Sequence, residues 1–139
     1  MVVDTLGRAE ALTTADYLVD RGHKMQLLTG LSLIAPHMPS PSRHHLLEKL
    51  MNNKVTLSTY TGIWEVGECS VETYNVVNWE PNTVEGIDSV IFASGGKTDD
   101  TLFQALQGRH TSIRTIRDCY QPRDIGVSII HGHRMAREL

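Results

Sequence analysis

The chain has 139 residues, of which 40% are hydrophobic and 21% charged, with a formal net charge of −3. These are ordinary globular values, enough for a core that buries roughly two thirds of the unfolded surface, and they exclude disorder. The acidic balance provides no basic footprint for nucleic acid and no polybasic patch for a membrane, no apolar run approaches the length of a membrane span, and no charged-then-apolar signal segment opens the chain.

Residues 1–4 read as the tail of a buried parallel strand. Such strands usually run to about five residues, so this one reads as though its beginning lay upstream. Residues 9–21 carry a helical stripe of Ala11, Ala15, Leu18 and Val19, with Gly22 suited to the C-cap. Residues 24–29 read as a second strand with Leu27 and Leu28 inside, which makes a β-α-β unit with an expected right-handed crossover. Residues 31–41 form a Pro/Ser-rich loop. Ser40 or Ser42 is placed to cap the next helix, whose apolar face is Leu46, Leu47, Leu50 and Met51, and Asn52-Asn53 end it.

From residue 55 to residue 80 the hydrophobic period falls to two. Ile63, Glu65 and Val66, then Val71, Thr73 and Asn75, then residues 76–79, predict a meander with a hairpin turn at Gly67-Glu68. Residues 84–93 return to the sheet. Leu102, Ala105 and Leu106 mark a short helix, residues 112–116 a last strand, and residues 122–139 a terminal helix with Ile125, Ile129 and Ala136 on one face. The fold class expected is α/β, a Rossmann-like parallel sheet with flanking helices and an antiparallel β-meander.

The first candidate site is the turn after the first strand. A dinucleotide cradle wants Gly-x-Gly-x-x-Gly there, so that backbone amides can approach a pyrophosphate. Only Gly7 is available, and Asp4 and Glu10 carry the wrong sign. The second strand ends in Thr29-Gly30 where an acid would read ribose hydroxyls. A degenerate, structural turn is therefore the expectation, with weak or no NAD(P)H binding.

The second candidate lies near the C-terminus. Ser89-Val-Ile-Phe-Ala-Ser-Gly-Gly96 reads as a strand ending in a glycine turn at Gly95, and residues 115–124 as a strand, an acid and a proline-started helix. Asp118 at a strand end could accept from a cofactor hydroxyl, while amides opening the helix near Pro122 face phosphate. A plain turn acid beside Pro122 is the competing reading, because Arg117 fills the space where a glycine would let a cofactor approach. Cys119 reads as a small packed residue, with no base nearby to make it a nucleophile.

The remaining polar residues carry less. Cys69 and Cys119 lie far apart without a Cys-x-x-Cys, which fits reduced thiols of a cytoplasmic protein better than a disulfide or zinc site. His44-His45 and His131-x-His133 point to diverging helix faces, and no His-Glu-x-x-His occurs. Trp64 and Trp79 read as anchors on the face of the meander rather than a stacking platform.

Several of these segments together resemble a family. Gly22-His23-Lys24 followed by Thr29, the helix around Thr14-Ala15-Asp16-Tyr17-Leu18, and Ser89 to Gly96 with Thr101-Leu102-Phe103 resemble the C-terminal region of trimethylamine dehydrogenase, 2,4-dienoyl-CoA reductase, histamine dehydrogenase and the NADH:flavin oxidoreductases related to Old Yellow Enzyme. The ending, Ile116-Arg-Asp-Cys-Tyr-Gln-Pro-Arg123 with Gly132-His-Arg-x-Ala-Arg137, is similar to the family's closing motifs, apart from Arg117 in place of a glycine.

The resemblance implies residues 1–111 as an inserted NAD(P)H-type domain and residues 112–139 as the returning strand and helix of an FAD- or ADP-binding domain. It implies a part of a flavoprotein oxidoreductase, without catalytic residues of its own. Its cofactor-binding residues would be Asp118, Cys119, Pro122, Gly95 and Gly7, its ligand FAD or ADP, and FMN and a 4Fe-4S cluster would belong to the rest of the enzyme. The partner implied is that remainder, a barrel domain, with a homo-oligomer also open. A non-catalytic scaffold or interaction module, holding ADP or docking a partner subunit, is the alternative.

Overall fold

The computed structural model describes residues 1–109, 113–120, 122 and 125–138. Two compact units divide the chain, Met1–Ser94 and Gly95–Leu139. In the first unit, β1 (Val2–Asp4), β2 (Gln26–Thr29), β3 (Thr56–Ser58) and β7 (Ile91–Ala93) form an all-parallel sheet in the order β3-β2-β1-β7. A separate antiparallel sheet contains β4 (Thr61–Val66), β5 (Ser70–Asn75) and β6 (Pro81–Glu85). The expected α/β class, parallel sheet and meander are all present.

Alternation along the strands sorts the core into two layers. Val2 and Leu27 point to one face and join Leu12, Ala15 and Leu50 of α1 (Ala9–Asp20) and α2 (Ser40–Asn52). Val3 and Leu28, one residue along, point to the other face and meet Val71, Ile63 and Val84 of the meander. Because a strand buried on both faces needs apolar residues at successive positions, β1 carries Val2-Val3 and β2 carries Leu27-Leu28.

The helix ends follow local chemistry. Gly22 at φ +81° follows the last turn of α1, and the amides of Gly22 and His23 close it on the carbonyls of Val19 and Leu18. At the start of α2 neither expected serine caps: the N-cap is Pro39, and the Ser40 hydroxyl is 3.1 Å from His44 Nδ1 instead. Pro41 falls within the first turn, where its missing N–H leaves no gap. Met51 is exposed, because the α2 stripe that reaches the core runs through Leu46, Leu47 and Leu50. Between the helices, Lys49 Nζ lies 2.7 Å from Asp16 and 2.8 Å from Asp20. Its pKa is raised, first by the hydrogen bond to Asp16 and then by that to Asp20.

Three other expectations are corrected. Residues 76–79 do not continue the meander as a strand. Asn75 Oδ1 accepts from the amides of Val77 and Asn78, and the Trp79 amide donates to the Asn75 carbonyl at 2.8 Å, which bends the chain into a turn. Residues 84–93 are not one strand, since Gly86 at φ +74° ends β6 before β7 begins. Residues 56–58, read as part of the meander, instead extend the parallel sheet as β3 on β2.

In the second unit, α3 (Thr101–Leu106) and α4 (Ile125–Arg137) carry no buried residue. Asp99 accepts from the Thr101 hydroxyl at 2.8 Å and amide at 3.2 Å, and both bonds lower its pKa. Residues 113–116 are not a strand, and Ser112 lies outside the described residues. A strand needs a neighbour for its amides and carbonyls, and among the described residues none pairs with this segment.

Candidate functional site

The strand ends of β1, β2 and β7 bring Asp4, Thr29 and Ala93 to one edge of the parallel sheet. Ligands of open α/β sheets bind at that edge. Asp4 is only 2% exposed, and its carboxylate is fully engaged by backbone. Oδ1 accepts from the amides of Leu6 at 3.1 Å and Gly7 at 2.8 Å, and Oδ2 from that of Ala35 at 3.4 Å. The amides at this turn therefore hold an anion supplied by the chain itself, where a phosphate-binding turn would aim them at the ligand.

Gly7 sits at φ +67°, a conformation that favours glycine. A Cβ there would lie 2.7 Å from Leu31 Cδ1 and 3.0 Å from the Pro36 ring. The Gly7 carbonyl also accepts from the His37 amide at 2.8 Å. Residues 31–37 thus pack directly against the turn, and Gly7 is required for that close approach. Thr29 is buried at the end of β2, and its hydroxyl accepts from the Leu31 amide at 3.3 Å. The residues of this edge do not fit a dinucleotide. The signal available in the sequence was the Asp-x-x-Gly spacing, which allows an Asx-type turn.

The other sequence-predicted site residues lie in the second unit. Asp118 and Cys119 belong to a single 3-10 turn, Arg117–Cys119, and both are exposed. Gly95 is exposed in an irregular segment. Pro122 is half-buried and packs near Gly96, where a Cβ would meet its ring carbons at 3.2 and 3.5 Å. Beside the 3-10 turn, the Tyr120 and His131 rings meet at 5.9 Å in a tilted contact. Those two side chains, with Phe103, Arg114, Thr115 and Met135, line a shallow cleft of about 290 Å³ that no sequence pattern marked. Cys69 and Cys119 are both exposed free thiols. Among the described residues no group of three or more His, Cys, Asp or Glu is arranged to hold a metal, and no helix is long and apolar enough to cross a membrane.

No family profile and no curated protein sequence matches the chain. Solved structures do. Histamine dehydrogenase from Rhizobium sp. 4-9 superposes with a TM-score of 0.85 at 22% identity, over 99% of this chain and 23% of that one. The fold is the one that histamine dehydrogenase shows over this segment. The 6-hydroxypseudooxynicotine amine oxidase of Pseudomonas geniculata N1 matches at 0.83 and 21% identity, over 96% of this chain and 21% of its own. A 2-naphthoyl-CoA reductase matches at 0.75 and 22% identity, over 99% and 21%. The resemblance read from the sequence thus holds in the fold, and histamine dehydrogenase is one of the relatives it named. The chain spans between a fifth and a quarter of the length of these enzymes.

Proposed function

We propose that this chain is a nucleotide-binding-type domain from the C-terminal region of a flavoprotein oxidoreductase of the trimethylamine dehydrogenase type, and that it has no catalysis of its own. The observation that supports this reading most is the near end-to-end likeness to histamine dehydrogenase, over less than a quarter of that enzyme. In this reading residues 1–111 are the inserted NAD(P)H-type domain, in which the ligand edge has been closed by Asp4, Leu31 and Pro36. Residues 112–139 return to an FAD- or ADP-type domain. Asp118 would accept from a hydroxyl of that ligand, with Cys119, Pro122 and Gly95 around it. FMN and the 4Fe-4S cluster would sit in a separate barrel, where electrons leave the substrate, because hydride and electron chemistry belongs to cofactors that protein positions. Exposed free thiols at Cys69 and Cys119 fit a cytoplasmic setting.

The experiment is to purify the chain and record its absorption spectrum and its amine- or NADH-dependent dye reduction. The expected result is a colourless protein without activity. A flavin band together with turnover would overturn the reading. In the longer enzyme, Asp118→Ala should weaken flavin or ADP retention about tenfold, roughly 1.4 kcal/mol. Unchanged retention would leave Asp118 a turn residue.

A further inference from the structure

The segment that contains the meander has a composition unlike the rest of the chain. Residues 55–96 contain Glu65, Glu68, Glu72, Glu80, Glu85 and Asp88 and not a single Lys, Arg or His. Within this segment Trp64, Tyr74 and Trp79 form a continuous stack. Trp64 and Tyr74 lie 4.8 Å apart at 21°, and Tyr74 and Trp79 lie 5.2 Å apart at 2°. Despite that contact, Trp64 remains 51% and Trp79 61% exposed.

The fold takes specific steps to present these rings. A Cβ at Gly62 would lie 2.6 Å from the Tyr74 ring, so only glycine opposite Tyr74 lets that ring lie flat on the sheet. A bulge between Ile63 and Glu65 makes Trp64 the extra residue of β4. Trp79 adopts φ +62° in the turn that its amide closes on the Asn75 carbonyl at 2.8 Å. Past the bulge, the register puts Glu65 directly opposite Glu72, with both exposed and no ion pair to either among the described residues. Like charges directly opposite on a sheet destabilise it, so the fold alone gains nothing from this pair.

A planar cation answers both features. Guanidinium stacks on indole faces, spans two carboxylates with its fork of donors, and is more weakly hydrated than an ammonium. We propose that this face docks an arginine-bearing surface of a partner polypeptide, with a guanidinium held by Glu65 and Glu72 against Trp64. The partner is basic, because Glu65 and Glu72 lie opposite each other next to Trp64 and residues 55–96 carry no Lys, Arg or His to repel it.

The test titrates the chain with a peptide of alternating glycine and arginine and follows tryptophan emission, with lysine and citrulline versions alongside. Saturable binding that weakens as salt is added is expected, with the lysine peptide several-fold weaker and the citrulline peptide silent. Glu72→Gln and Trp64→Phe, each checked for native circular dichroism, should weaken the arginine peptide roughly tenfold and severalfold respectively. Equal binding of the citrulline peptide, or retention of affinity in folded Glu72→Gln, would overturn the proposal. So would a concentration-dependent dimer that Glu72→Lys abolishes, since a second copy would then cover the face. Loss of acrylamide quenching of Trp64 in the longer enzyme without any peptide would also overturn it, because the face would then be covered internally.

Discussion

Asp4 Oδ1 accepts the backbone N–H of Gly7 at 2.8 Å, which closes the turn between β1 and α1 on a carboxylate that belongs to the chain. The same side chain reaches the Ala35 amide through Oδ2, so one buried acid ties the turn to the segment that follows β2. The turn at this sheet edge is thereby fixed by the chain's own carboxylate.

Replacing Asp4 with Ala removes the acceptor for amides that are buried or partly buried. An unpaired buried donor costs about 1–3 kcal/mol, so the variant should lose stability on that scale in chemical denaturation. Asp4→Asn keeps one acceptor oxygen and should fall between the two. An Asp4→Ala midpoint equal to that of the parent chain would remove Asp4 from this role.

Gly7→Ala meets two penalties. The left-handed backbone costs an L-residue about 1–2 kcal/mol, and the new Cβ would lie 2.7 Å from Leu31 Cδ1. Gly22→Ala, with φ +81° and nothing within 4 Å of its Cβ, carries the backbone penalty alone. Thermal unfolding should therefore rank Gly7→Ala below Gly22→Ala. The reverse ranking would mean that residues 31–37 move aside readily.

NAD(P)H should bind weakly or not at all, because three amides of the turn and its neighbouring segment already serve Asp4. Asp4 also places negative charge where a pyrophosphate would approach. Calorimetric titration should give no micromolar event with either cofactor. A micromolar affinity would show that the 31–37 segment opens in solution.

The bridge of Lys49 to Asp16 and Asp20 predicts a pH dependence on the alkaline side. The pKa of Lys49 is raised above its ordinary value of 10.5 on folding, by hydrogen bonds first to Asp16 and then to Asp20. Its contribution is then complete below 10.5 and lost as pH rises through the higher folded value. The stability difference between the parent chain and Lys49→Met should shrink as pH is taken above 10.5. A difference that stays constant there would assign the effect of the substitution to packing of the lysine stem.

The parallel β-α-β start, the first hairpin and the course of the helices were legible in local period and local end signals, although α4 begins at Ile125 and not at Pro122. Val2, Val3, Leu27 and Leu28 announce strands buried on both faces, and Gly22 announces the end of α1, whatever lies elsewhere in the chain. The Asp4-x-x-Gly7 spacing of the first turn was legible as well, and it allows the turn that Asp4 closes on the Gly7 amide. The remaining features depend on partners distant in sequence. Residues 56–58 alternate like a meander strand yet join β2, since strand pairing is chosen by which edge is free rather than by period. Residues 113–116 look extended but lack a neighbour, so no ladder forms among the described residues. Trp64 and Trp79 read singly as sheet anchors, and became a stack because Gly62 lets Tyr74 lie flat between them. Ala35, 31 residues from Asp4, could be recognised as its partner only after folding brought the two segments together, since a hydrogen bond is specified by distance and angle and not by spacing along the chain.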